Sequence, residues 1–314
     1  MRQIAANRSW SVTLPMASSN PAFNNPAFQD ARAGQSFPYA QAAGGAATAQ
    51  QSVDVAAQAR LEGAFAAPPA SAIETGRMTV EDTVHKTLAL FAVLVVGAVA
   101  GWIWTMAGVT AANPRPSIVP WLVGALVGFV LSMAVIFTSR KKIRPGLIVA
   151  YAAFQGLFVG SISAYFDFIW PGIVFQATLA TLAVVGVTLA LFASGKVRAS
   201  KRATKIFMIA MIGYLVFALI NVALMLFNAP IAGGAFGLYS TVKIFGIPLG
   251  LIIGIFVVIL AAYSLVLDFD SIQQGVRNGA PRQYGWLGGF GIMVTVVWLY
   301  VEILRILAIL RGNN

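Results

Sequence analysis

Cysteine is absent from the 314 residues of the chain, and histidine occurs once, as His85. Without cysteine the chain forms no disulfide and no thiolate metal site, and it offers no cysteine nucleophile. A single histidine also excludes multi-histidine metal centres and Ser-His-Asp catalysis. An intramembrane protease of the two-aspartate class would need surrounding motifs that the sequence lacks. The sequence therefore predicts no enzyme and no resident cofactor.

Charge is scarce as well. Only 10% of the residues are charged and 59% are hydrophobic, whereas a soluble domain usually carries about a quarter charged residues. Too little charge remains to coat a soluble globule, so lipid is the expected solvent. The net charge of +11 does not indicate a nucleic-acid partner, because the basic residues form short clusters between apolar runs rather than a stripe with interleaved aromatics.

The first 82 residues differ in composition from the rest. They are rich in Ala, Gln, Ser, Asn and Pro and show no sustained apolar period. Such a segment cannot bury enough apolar surface to offset its ordering entropy, so residues 1–82 are predicted to be a disordered, low-complexity tail. The tail contains Asn-Pro-Ala-Phe twice, at 20–23 and 25–28. This repeat is either part of the low-complexity composition or a short linear motif for a partner.

From residue 83 to residue 314 the chain is a series of seven apolar runs. Each approaches or exceeds the roughly 20 residues that a helix needs to cross the hydrocarbon core. The predicted spans are 87–109, 118–138, 145–166, 172–194, 204–228, 244–270 and 286–310. The expected fold is an all-α polytopic membrane domain.

Lysine and arginine are concentrated in alternate connections between the spans. They cluster at 139–144, 195–205 and 271–285 and are nearly absent from the other connections. Because cytoplasmic loops carry the Lys/Arg excess, we expect the N-terminus in the cytoplasm of a multi-pass cell-membrane protein and the C-terminus on the other side. If the last run is re-entrant, the C-terminus returns to the cytoplasm.

Carboxylates are few after residue 82, and three of them fall in the last two spans: Asp268, Asp270 and Glu302. A carboxylate inside a membrane helix is unfavourable by several kcal/mol unless it is paired, hydrated or protonated, so these residues are candidates for an ion or proton path. Arg305 follows Glu302 at i+3, on the same helical face. Glu302 therefore either forms a local neutralising pair with Arg305 or lines a cavity.

Asp268 and Asp270 close the sixth span. Residues two apart on a helix point about 200° from each other, so we expect one acid to face the bundle and the other to face headgroups or water. The alternative is that both lie at the membrane boundary and are simply solvated.

These acids lie in motifs that resemble the Bax inhibitor-1 (transmembrane Bax inhibitor motif) family, in particular its bacterial YccA-like and YetJ-like members. The sixth span ends in Asp-Phe-Asp-Ser-Ile at 268–272, where the family has a pattern like Asp-x-x-Gln-Ile. The seventh contains Leu-Tyr-Val-Glu-Ile-Leu-Arg-Ile-Leu at 299–307, where the family has Leu-Tyr-Leu-Asp before an apolar stretch with Leu-Arg. The resemblance covers residues 83–312, with Asp268 and Glu302 in the places of the two family aspartates.

The resemblance implies seven helices with the C-terminal helix at the centre, and a pH-sensitive calcium leak in a bacterial inner membrane. Asp268 and Glu302 would be the pH sensor and gate, with Asp270 and Arg305 in support. Two close carboxylates in a low dielectric cannot both ionise cheaply, so the pair would share a proton. Carboxylate oxygens also suit a transient Ca²⁺ ion. The alternative function is a regulatory protein without transport, which binds a membrane protease or another partner through its tail.

Overall fold

The computed structural model describes residues 76–227, 229–232 and 236–312. The predicted tail up to residue 75, with its repeat, lies outside these residues. Seven of the described helices are long and apolar enough to cross a membrane, which confirms the predicted all-α, seven-span architecture. They are α1 Val80–Met106, α2 Val119–Ser139, α3 Pro145–Ile169, α4 Ile173–Ala193, α5 Lys201–Leu226, α6 Leu249–Arg277 and α7 Tyr284–Gly312.

The first helix begins earlier than predicted because it has an N-cap. The Thr79 side chain accepts a hydrogen bond from the backbone N–H of Asp82 at 3.0 Å, which satisfies one of the donors that a helix start leaves open. Helix α1 therefore starts at Val80, and the last residues of the predicted tail belong to the membrane domain. Ser200 caps α5 in the same way, at 3.2 Å from the N–H of Ala203.

The connection between α5 and α6 contains structure that the sequence did not predict. It includes a 3-10 turn Pro230–Ala232, a single α-helical turn Leu238–Thr241, and an antiparallel hairpin of β1 Lys243–Ile244 and β2 Ile247–Pro248. Because the hairpin occupies the predicted start of the sixth span at 244, α6 begins only at Leu249. At its other end α6 extends beyond the predicted limit of 270, to Arg277.

Glycines allow α1 and α3 to pack at close range. A Cβ atom added to Gly156 would meet the backbone carbonyl of Leu94, and one added to Gly160 would meet that of Ala98. Small residues four apart let membrane helices approach closely, as Gly156 and Gly160 do here. On the other side of α3, Gly124 of α2 faces the backbone of Phe158.

Helix α7 lies at the centre of the domain. It packs against α1, α3, α4 and α6, and many of its side chains are buried along its whole length, among them Leu287, Met293 and Leu304. The expected position of the C-terminal helix is confirmed. Helix α5, by contrast, buries only Thr204, Phe207 and Asn221.

The basic connections lie together on one side of the domain, here called the basic face. It comprises the start of α1 and the α2–α3, α4–α5 and α6–α7 connections, because the helices alternate in direction. Helix α7 is continuous and ends on the opposite face, where Arg311 donates to the carbonyl of Pro171 at 2.8 Å and to Gln176 Oε1 at 3.0 Å. The alternative of a re-entrant last span is therefore wrong.

Candidate functional site

Asp268 is enclosed between α6 and α7. Its side chain is 0% exposed, and its Oδ2 accepts a hydrogen bond from Thr295 Oγ1 at 2.6 Å. Thr295 is buried in α7 and was not among the predicted site residues. Because Asp268 is buried, the alternative of a carboxylate solvated at the membrane boundary is wrong for this residue.

Asp270 has a different environment from Asp268. It is only partly buried, and its Oδ2 accepts a hydrogen bond from Gln274 Nε2 at 2.6 Å, one turn further along α6. The two acids therefore differ as expected in how deeply they are buried, and the contact of Asp270 with headgroups or water stays a prediction. The bundle-facing acid is Asp268.

Glu302 forms a buried ion pair. The whole residue is 3% exposed. Its Oε1 binds Arg305, and its Oε2 accepts a hydrogen bond from Tyr214 Oη of α5 at 3.1 Å. Of the two alternatives for Glu302, the local pair with Arg305 is the one that the structure contains. Gly254 of α6 lies beside the carboxylate, since a Cβ atom there would be in ordinary contact with Oε1 at 3.5 Å, and its lack of a side chain makes room for Ile306.

Arg305 is covered by an aromatic ring from the α5–α6 connection. Its guanidinium carbon lies 3.9 Å from the ring centroid of Tyr239, which is buried and belongs to the single turn Leu238–Thr241. Asn221 of α5 holds this turn, since its Oδ1 accepts from the N–H of Leu238 at 2.6 Å and its Nδ2 donates to the carbonyl of Phe236 at 3.3 Å. A cation over an aromatic face is stabilised most when both are desolvated, as here.

The two acids lie at different depths. Gly254, beside the Glu302 carboxylate, and Asp268 are fourteen residues apart in the continuous helix α6, which at 1.5 Å per residue is about 21 Å. Allowing for the reach of both side chains, the carboxylates are about 12 Å apart or more. Thr295 and Glu302 are likewise separated by about two turns of α7.

This separation corrects the predicted contact between the two acids. In this structure Asp268 and Glu302 are too far apart to share a proton through a hydrogen bond. They also cannot bind one Ca²⁺ ion together, because the ligand oxygens of Ca²⁺ lie 2.3–2.6 Å from the ion. Among the described residues, no three His, Asp or Glu side chains are grouped as a metal site would require. The individual roles of Asp268 and Glu302 in sensing or gating stay predictions.

The comparison with known families agrees with the motifs around these acids. A sequence profile described as Bax inhibitor 1 like matches residues 20–312. The chain belongs to the Bax inhibitor 1 like family. The match begins at residue 20 rather than 83, so the family resemblance extends over most of the predicted tail and includes its repeat. No curated protein and no solved structure matches the chain.

In this Bax inhibitor 1 like domain, apolar side chains fill the interval between the two acids. Along α6, Val257, Ala261 and Leu265 are fully buried between Gly254 and Asp268. Leu299 of α7 packs in the same cluster as Ala261 and Leu265. The site therefore consists of two polar positions, one at Asp268 with Thr295 and the other at Glu302 with Arg305. The apolar interval lies between them.

Sequence reasoning missed three side chains of this family member's site. Thr295 and Tyr214 are polar residues within apolar helices, and that pattern is the signal that could have indicated them. Tyr239 lies in a connection between spans, where no local pattern indicates burial against a charged side chain. Only the fold brings Tyr239 to Arg305.

Proposed function

We propose that this protein is a pH-sensitive cation leak, for Ca²⁺ among other cations, whose path follows the interface of α6 and α7. The observation that supports this proposal is the burial of two carboxylates, Asp268 and Glu302, on facing membrane helices. Intramembrane acids are unfavourable and are commonly retained where an ion or proton passes. The proposed role is transport and not catalysis.

The two acids act as successive sites rather than as one pair. A cation that passes between α6 and α7 meets Asp268 with Thr295, then the apolar interval, and then Glu302 with Arg305 and Tyr214. Only one carboxylate contacts the ion at a time, so Ca²⁺ is bound transiently. The apolar interval closes the path in the conformation described here.

Rising pH opens the proposed path. Loss of a proton from a buried acid adds a charge that favours hydration, and water can enter only if α6 and α7 separate around the apolar interval. Falling pH neutralises the acid and allows the dry packing to return. The two acids respond separately, because they are too far apart to share a proton.

The proposed location is a bacterial cell membrane with the basic face in the cytoplasm. The Lys/Arg clusters of the α2–α3, α4–α5 and α6–α7 connections all lie on that face, which is the arrangement of cytoplasmic loops. The N-terminus is then cytoplasmic, and the turn that carries Tyr239 faces the outside.

Flux through the purified protein in liposomes tests the proposal. Ca²⁺ entry is followed with an enclosed dye between about pH 5 and pH 8, the range in which perturbed carboxylates titrate. We expect wild-type flux to increase with pH, and Asp268→Asn and Glu302→Gln each to flatten that increase. Asp270→Asn, which removes the same charge at a partly exposed position, is the matched control and keeps the wild-type profile. Wild-type liposomes that leak no more than empty ones would refute the proposal.

A second candidate function is regulation of a partner, such as a membrane protease, without transport. The family match supports it, because it begins at residue 20 and so includes both copies of the Asn-Pro-Ala-Phe repeat. A segment shared with the family is a candidate for a contact that family members make. Deletion of residues 1–75 separates the two functions: it leaves flux unchanged if the protein is a leak, and it abolishes partner crosslinking if the tail is the contact.

A further inference from the structure

The wall of helices around α7 is open between α1 and α4. Both helices pack against α7, yet they stand apart from each other and leave two cavities of about 560 and 540 Å³ between them. One cavity reaches the basic face at Val80 and Phe192, and the other extends to Trp102 near the opposite face. Phe91, Leu182 and Val296 line both, so the two cavities are adjacent along the surface between α1 and α4, here called the α1–α4 groove.

The groove reaches the central helix. Its floor includes Ile292, Val296 and Tyr300 of α7, the helix that also carries Thr295 and Glu302. Along α1 it extends from Val80 to Ile103, which is about 34 Å at 1.5 Å per residue and covers the roughly 30 Å hydrocarbon core. An extended acyl chain fits within that length.

The hydroxyl groups that line the groove already have partners. Thr87 donates to the carbonyl of Thr83 at 2.8 Å, and Thr181 donates to that of Ala177 at 2.7 Å. At the other end, Tyr300 and Ser163 bond to each other, with 2.6 Å between their oxygens. The O–H donors of these groups are therefore occupied, and the other side chains that line the groove are mostly apolar. The surface suits a hydrocarbon occupant.

A basic side chain stands at the mouth of the groove on the basic face. Arg198 donates from Nη1 to Gln273 Oε1 at 3.1 Å, and its guanidinium carbon lies 4.7 Å from the ring centroid of Phe192. Gln273 and Phe192 both line the groove. Arg198 is exposed and keeps further N–H donors, and a guanidinium matches the geometry of a phosphate group.

We propose that the α1–α4 groove binds one acyl chain of an anionic glycerophospholipid, with Arg198 at the lipid phosphate. The lipid completes the wall around α7 where no helix covers it. The proposal concerns binding and does not depend on whether the protein conducts ions.

Native mass spectrometry of the full-length protein in mild detergent tests this site. The protein is titrated with dioleoyl phosphatidylglycerol, which is anionic, or dioleoyl phosphatidylcholine, which is zwitterionic. Both lipids carry a phosphate, but in phosphatidylcholine the choline cation offsets its charge and is repelled by Arg198. We expect phosphatidylglycerol to bind about tenfold more tightly. Arg198→Gln should reduce that preference to near equality. Arg202→Gln, the same change at an exposed arginine nearby, should retain it.

A second pair of variants tests the acyl chain. Leu182 lines the groove and Leu219 lies on α5 outside it, and both are 61% exposed, so tryptophan is tolerated equally at either position. We expect Leu182→Trp to weaken both lipids and Leu219→Trp to weaken neither. Unchanged binding in Leu182→Trp would overturn the proposal. So would an equal loss in Arg198→Gln and Arg202→Gln, which would indicate diffuse attraction to the basic face.

Discussion

Arg282, in the connection between α6 and α7, binds Asp82 at the start of α1 through two nitrogens. Its Nε and Nη2 donate to Asp82 Oδ1 at 3.0 and 2.9 Å. Backbone hydrogen bonds reinforce this link. The N–H of Met78 donates to the carbonyl of Ala280 at 2.7 Å, and the N–H of Arg282 donates to the carbonyl of Gly76 at 2.8 Å. The chain segment that leads from the tail into α1 is thereby attached to the connection between the two acid-bearing helices.

Breaking this link should destabilise the domain modestly. We expect Arg282→Ala to lower the melting temperature in detergent by about 2–4 °C, the effect of about 1 kcal/mol in a domain of this size. Asp82→Ala should lower it further, since Asp82 also binds Lys86. The double change should fall short of the sum, because residues in contact are coupled. Arg140→Ala, an exposed arginine on the same face, is the control. An unchanged melting temperature in Arg282→Ala would contradict a stabilising contact between Arg282 and Asp82.

The distance between the acids predicts how their variants combine. Sites more than about 7–10 Å apart without shared partners usually give additive effects. We therefore expect the double variant Asp268→Asn with Glu302→Gln to change the pH dependence of liposome flux by the sum of the two single changes. A double variant that behaves like either single one would show instead that the carboxylates act as one unit in the conducting state.

The ion pair of Glu302 and Arg305 should be sensitive to the loss of one partner. Removing one member of a buried pair leaves the other charge uncompensated and lowers the free energy of unfolding by roughly 3–5 kcal/mol. Replacing both members by apolar residues often changes that free energy little. We expect Glu302→Leu to lower the melting temperature strongly and Arg305→Leu in the same chain to restore much of it. Tyr214→Phe removes one hydrogen-bond donor and should have a small effect, about 1 kcal/mol. Failure of the second change to restore stability would argue against a neutralising role.

The contact between α1 and α3 predicts a difference between two glycines. Gly160→Ala would place a methyl group against the Ala98 carbonyl, so the helices must separate, and we expect reduced yield of folded protein and a lower melting temperature. Gly186→Ala on α4 meets nothing within 4 Å and is the control. Equal stability of the two variants would mean that α1 and α3 do not pack as described. Size-exclusion chromatography of samples heated to increasing temperatures measures the yield and the melting temperature of each variant.

The orientation can be tested without background labelling because the chain has no cysteine. Single cysteines at Lys142 and Lys201, on the basic face, should resist a membrane-impermeant thiol reagent in intact cells. A cysteine at Lys243, in the hairpin on the opposite face, should react quickly. All three positions are exposed, so access to the aqueous phase decides the result. Rapid labelling at 142 and 201 would invert the proposed topology.

Much of the fold follows from local sequence. The seven spans are predictable because a helix in hydrocarbon must satisfy its own backbone hydrogen bonds, so length and hydropathy alone identify it. The pairing of Glu302 with Arg305 is also local, since the two residues lie one turn apart. The predicted limits of the spans were wrong where the Thr79 cap starts α1 and where the hairpin before Leu249 delays the start of α6.

What the sequence by itself determined is the membrane class, the number of helices and the acids that lie within them. Only the tertiary structure decided that Asp268 meets Thr295 and that Glu302 lies beside Gly254, which is about four helical turns from Asp268 along α6. That offset depends on the register between α6 and α7, in which Gly254 of α6 lies against Ile306 and Gly288 of α7 lies against Ile272. Hydropathy along one helix carries no information about its axial position against another, and so two acids that the motifs place together are separate in the folded protein.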